Sequence, residues 1–158
     1  MSKLETNTID TISGTSNLTI GGANNTGTTT IKTNNTDAVT IDNSQNLKFN
    51  SGYGSVATAY GCRAWVNFNG VGTVAINGSQ NVSSITDTST GIYTVNFATN
   101  MPDTNYSCVA TPGYATNVSV NFNASVHVPT VGNFMIRTRN VNTSGQGDLS
   151  LITSAVFR

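Results

Sequence analysis

Leu18-Thr19-Ile20, Thr29-Thr30-Ile31, Val39-Thr40-Ile41 and Leu47-Lys48-Phe49 decide the fold of this chain. Each is an apolar or β-branched pair at i and i+2, and the pairs recur about every ten positions. Ile9, with Ile12 nearby, opens the series. An i, i+2 pair places both side chains on one face of a strand. Gly, Asn, Asp, Ser and Thr fill the intervals and supply the turns. Strands of roughly four or five residues are too short to build a core alone. Units of this kind need stacked neighbours or further copies of the chain. The first fifty residues are therefore expected to serve assembly, as an interwound trimer or a short β-solenoid.

Composition points the same way. Asn and Thr together supply 48 of the 158 residues, while only 9% of the chain is charged. Thr favours strands, Asn and Gly favour turns, and good helix formers are scarce. Almost no helix is expected. Seven basic residues balance seven acidic ones, and no block of like charge occurs. That argues against a nucleic-acid partner and against a basic membrane patch. No apolar run is long enough to span a bilayer as a helix. Met1–Thr6 leads into no apolar signal segment, so synthesis in a cytoplasm without export is expected. With little charge to repel a sheet edge, oligomerisation is the natural way to cover one.

After a link of small residues at 51–60 the strands lengthen. Cys62, Ala64, Val66 and Phe68 alternate with Arg63, Trp65 and Asn67, and the first set is expected to face inward. Trp65 then falls on the opposite face, which suggests that this face is covered too. Asn69-Gly70-Val71-Gly72 reads as a turn and Thr73–Ile76 as a strand with Val74 and Ile76 in phase. Asn77-Gly78-Ser79 reads as a hairpin turn. Val82 and Ile85 are three apart, which marks a bulge. Tyr93, Val95 and Phe97 share a face, as do Tyr106, Cys108 and Ala110. Val118 to Phe122 and Val126–Val128 read as two strands. Phe134, Ile136 and Thr138 oppose Met135, Arg137 and Arg139, and Leu149–Phe157 closes the chain. About eight strands at this spacing predict an antiparallel sandwich or barrel.

Candidate chemistry is sparse. His127 is the single histidine, and the two cysteines have no zinc-ligand spacing. Without a secretory signal, Cys62 and Cys108 are expected as buried thiols rather than a disulfide. Asp87, Asp103 and Asp148 sit among turn residues, where Asp shapes loops. A glycosidase would need two of them facing each other across a sugar. Glycine pairs at 52/54 and 70/72 lack the helix and lysine of a phosphate loop. The chain is accordingly read as non-enzymatic, with no catalytic, cofactor-binding or metal-binding residue. Arg137 and Arg139 project from one strand face and are candidates for docking an acidic partner. Trp65 and Tyr114 are candidates for an interface or a glycan-binding surface, against the ordinary reading of aromatics as core.

Residues 61–70 (Gly-Cys-Arg-Ala-Trp-Val-Asn-Phe-Asn-Gly), 81–87 (Asn-Val-Ser-Ser-Ile-Thr-Asp), 91–97 (Gly-Ile-Tyr-Thr-Val-Asn-Phe) and 101–106 (Met-Pro-Asp-Thr-Asn-Tyr) form a recognisable string. It resembles a module in structural and fibre-like proteins of tailed phages, especially those of cyanobacteria and marine bacteria. The likeness extends more weakly to Arg158, and residues 8–12 and 42–49 resemble the β-repeats before such modules. The resemblance implies a virion protein, a β-rich trimer and no cofactor. A long tail fibre would carry an anchoring domain and a long shaft. This chain reaches the terminal module within about sixty residues.

The sequence thus predicts an all-β protein, with an N-terminal short-strand repeat or arm at 1–55. A C-terminal antiparallel β-sandwich, jelly-roll-like, is expected at 56–158, with the whole assembled as a homotrimer. The expected function is a capsid cement or decoration protein on the virion exterior, bound to the major capsid protein. A short tail or head fibre that binds a host surface glycan is the alternative.

Overall fold

The computed structural model describes residues 27–52, 55–116 and 121–158. Expectations for Ile9, Ile12, Leu18, Ile20, Val118 and Val120 lie outside these residues. All regular structure within them is strand, arranged in three antiparallel sheets of four strands each. Two compact units divide between Ala59 and Tyr60.

The N-terminal unit holds β1 (Thr29–Thr33), β2 (Thr36–Ile41), β3 (Leu47–Phe49) and β4 (Ala57–Thr58), paired in that order. The sheet thus continues past residue 55 to Thr58. Asn34 and Asn35 both take positive φ, 48° and 59°, as the two-residue turn between β1 and β2 requires. Asp42 organises the next turn. Its carboxylate accepts the Ser44 and Asn46 amides at 3.0 and 2.9 Å and pairs with Lys48 at 2.8 Å. The Lys48 ammonium, helped by the Asn46 amide, holds this carboxyl far below the usual range.

Register fixes the two faces of this sheet. Ile31, Val39, Phe49 and Ala57 lie opposite one another across the four strands, and Ile41 lies opposite Leu47. The other face carries Thr30, Thr40, Lys48 and Thr58. Thr40 is the sole buried residue of this sheet. Ile31, Ile41, Leu47 and Phe49 are 61, 47, 50 and 45% exposed.

The C-terminal unit is a two-sheet sandwich. One sheet holds β5 (Cys62–Asn69), β6 (Ala75–Gln80), β9 (Ser107–Gly113) and β12 (Leu151–Phe157), in the order β6-β5-β12-β9. The other holds β7 (Val82–Ser89), β8 (Ile92–Phe97), β10 (Phe122–His127) and β11 (Asn133–Asn140), in the order β10-β11-β8-β7. The inner faces meet through Ala64, Val66, Phe68, Ile152 and Val156 on one side and Tyr93, Val95, Phe97, Phe134 and Ile136 on the other. Phe68 and Tyr93 pack edge to face across the layers at 5.2 Å. Burying each large apolar side chain contributes about 1.5–3 kcal/mol. Two buried hydroxyls are satisfied: Thr138 donates to Gly147 O at 2.6 Å and Ser154 to Val109 O at 2.8 Å.

Several local expectations need correction. Asn77-Gly78-Ser79 is not a turn; it lies inside β6, and Thr73 and Val74 precede the strand. Gly78 is there because a Cβ would stand 3.2 Å from the Trp65 ring. The chain passes from one sheet to the other at Asn81, whose φ is 55°. Its side-chain amide brackets Thr99, accepting the Thr99 N–H at 2.7 Å and donating to its carbonyl at 3.1 Å. Ile76 is exposed although the β5–β6 register, which shifts between Asn67 and Phe68, sets it opposite the buried Phe68; β6 is the edge strand of its sheet. Val128 ends β10 at a φ of 46° instead of belonging to a strand of its own. The bulge expected between Val82 and Ile85 is present, with Ser83 as the extra residue.

Candidate functional site

The outer face of the β6-β5-β12-β9 sheet exposes the large apolar side chains of Trp65 and Val109. Trp65, Ala155 and Val109 form one row across β5, β12 and β9. Asn67, Thr153 and Thr111 form the next. Trp65 is 44% exposed and Val109 55%. The expectation that Trp65 faces a covered surface is therefore not met within the single chain. Between these rows runs a shallow groove of about 330 Å³. Its floor and rim include no ionisable side chain. Asn67 is held in place by Asn77, whose amide donates to it at 3.1 Å.

Trp65 could be picked out from the sequence; its neighbours could not. Val109, Thr111, Thr153 and Ala155 lie far along the chain and join Trp65 only through the non-local pairings of β12 with β5 and β9. The one local signal was alternation in β9, which turns Val109 and Thr111 away from the core. Tyr114, proposed alongside Trp65, is half-buried and packs against the core cluster.

Arg137 and Arg139 stand on the outward face of β11, opposite Ser125 and Asn123 of β10. Arg137 is half-buried and Arg139 exposed. The ion pairs among the described residues join other groups, and Arg137 Nε is buried without a hydrogen-bond partner. His127 lies on the same face, its Nε2 at 2.8 Å from Ser125 Oγ.

Asp148 and Asp103 are occupied individually. Asp148 accepts from Tyr93 and the Gly91 amide, and Asp103 accepts the Asn105 amide and pairs with Arg158. The Asn105 amide, followed by the Arg158 guanidinium, holds the Asp103 carboxyl below its ordinary value. Both cysteines are free thiols among the described residues. Cys108 is half-buried, and burial pushes its thiol up to about 11. Cys62, expected inside, is exposed at the start of β5, where the β12 register shifts. No group of three or more His, Cys, Asp or Glu side chains suited to a metal occurs among the described residues. No described helix is long and apolar enough to cross a membrane.

Comparison with protein-family models, curated proteins and solved structures finds no match to the chain.

Proposed function

We propose that this chain is a non-enzymatic structural protein on the outside of a tailed-phage particle, working as a homotrimeric cement or decoration protein on the major capsid protein. The observation that carries the reading is the bare face of the N-terminal sheet. Ile31, Val39, Ile41, Leu47 and Phe49 share one face of the four-stranded sheet, and none of its described hydrophobic side chains is buried. A sheet with one apolar face is stable only when a second layer covers it. Three copies turned about a threefold axis bring three such faces together and leave none uncovered. The likeness of residues 61–106 to phage virion modules supplies the kind of particle. Holding a shell together asks for buried apolar area between subunits, not for chemistry.

The neutral polar surface and the scarcity of paired charges suit a protein bound by shape and burial. The role is tested by quantitative mass spectrometry of purified virions against the major capsid protein. Hundreds of copies, in a simple ratio to the capsid protein, are expected. A few to a few dozen copies would sink the cement role. The second reading, a short fibre meeting a host glycan, would then stand, and the exposed Trp65 favours it.

A further inference from the structure

We propose that the groove beside Trp65 on the outer face of the sandwich binds a neutral saccharide. Two of the exposed apolar surfaces among the described residues differ in kind. The N-terminal sheet presents mainly aliphatic and aromatic side chains, as an interface between copies requires. The sandwich groove instead sets one aromatic ring beside a row of neutral polar side chains: Asn67, Thr153 and Thr111. That pattern matches a molecule with an apolar ring face and a hydroxylated edge.

Each part of the site has a definite geometry. The edge of the Trp65 ring lies beside Gly78, where the missing side chain leaves room, and the residue is partly exposed. The Asn67 carboxamide is oriented by Asn77 at 3.1 Å. Thr111 and Thr153 spend no side-chain hydrogen bond on another described residue, so their hydroxyls remain for a ligand or water. Aromatic stacking and amide or hydroxyl hydrogen bonds are the forces that orient a polar ligand on such a surface. The absence of an ionisable lining residue selects a neutral sugar over a uronic acid or a sialylated one. The volume, about 330 Å³, falls at the small end of ligand sites and fits one or two sugar rings.

This site does not depend on where the protein sits on a particle, so copy number and sugar binding fail independently. Trp65 is the single tryptophan, so its fluorescence reports the groove alone. The probes are maltotriose, cellotriose, lactose and chitotriose, with trigalacturonic acid as the charged comparison. The full chain is expected to show a saturable change in emission with at least one neutral probe, in the millimolar range, and none with the acid. Thr153→Val should weaken that binding about tenfold or less, as loss of one hydrogen bond does. Trp65→Ala, followed by saturation-transfer NMR on the sugar, should abolish it. Three results overturn the proposal. These are silence from every neutral probe, binding retained by Trp65→Ala, and an emission that shifts with protein concentration without sugar, which would place a second copy on the ring.

Discussion

The phenolic hydroxyl of Tyr93 donates to Asp148 Oδ1 at 2.7 Å, across 55 positions of sequence. The same oxygen accepts the Gly91 amide at 2.7 Å. One carboxylate thus ties the loop before β12 to the start of β8. The Tyr93 ring is fully buried, and the Gly70 carbonyl lies 3.2 Å from its hydroxyl. Asp148→Ala removes both bonds and leaves the Gly91 amide without its partner. The loss is expected to be about 1–3 kcal/mol, read from urea unfolding. Tyr93→Phe removes one bond to a charged acceptor and should cost a similar amount. Because the two groups share a bond, the double variant should lose clearly less than the sum. Additive losses would show that the pair is not coupled.

Alkaline pH acts on the same core. Burial, then the Asp148 carboxylate, holds the Tyr93 phenol neutral well above its ordinary 10.0. Burial, partly opposed by the Ser154 hydrogen bond, moves the Cys108 thiol from 9.0 to about 11. Both folded-state values lie above the unfolded ones. The stability they support is therefore complete below pH 9 and is lost as pH rises, first through the thiol and then through the phenol. The thermal midpoint should be flat to about pH 9 and fall between there and pH 11. Cys108→Ala should delay the onset toward pH 10, where the phenol of the unfolded chain begins to ionise. A thiol reagent at pH 8 should modify Cys62 quickly and Cys108 more slowly. Equal rates at the two thiols would contradict the burial of Cys108.

Gly91 and Gly72 both take positive φ, 66° and 69°, yet their substitution should differ sharply. A Cβ at Gly91 would stand 2.8 Å from the Gly147 nitrogen and 2.8 Å from the Thr138 carbonyl oxygen, both backbone atoms. Gly91→Ala must therefore shift the chain as well as strain it, at about 2–4 kcal/mol. Gly72 faces open space. Gly72→Ala should cost only the conformational strain, about 1–2 kcal/mol. Equal midpoints in guanidinium for the two variants would mean that the Gly91 contacts relax freely.

Local alternation was enough to sort the core of the sandwich. Phe134, Ile136 and Thr138 face inward as their spacing demands, and the odd spacing of Val82 and Ile85 encodes a bulge at Ser83. What alternation does not carry is which strands become neighbours. Trp65 gains Val109 and Ala155 only because the last strand of the chain inserts between β5 and β9. The Asn77-Gly78 step misled for a related reason. It carries a strong turn signal, but Gly78 is there to admit the Trp65 ring from the neighbouring strand. Cys62 was misplaced because the β5–β12 pairing slips by a residue at its end, so the inward alternation stops at Ala64.

The N-terminal sheet carries the sharpest prediction for assembly. Its apolar face is built from Ile31, Val39, Ile41, Leu47 and Phe49, while its charges are neutralised within the sheet, Lys32 by Asp37 and Lys48 by Asp42. Association through this face should therefore be insensitive to salt, since no ion pair needs to form between copies. Each large side chain covered by a neighbour contributes about 1.5–3 kcal/mol. Ile41→Asp with Phe49→Asp would place two carboxylates in the covered layer, which is prohibitive without partners. Sedimentation equilibrium should then find the parent at three times the 16.5 kDa chain mass and the variant at one. Near-ultraviolet dichroism from Trp65 and the sandwich tyrosines should remain, because the sandwich keeps its own core. A parent chain that stays monomeric at micromolar concentration, or a variant that still trimerises, would remove this face from the interface.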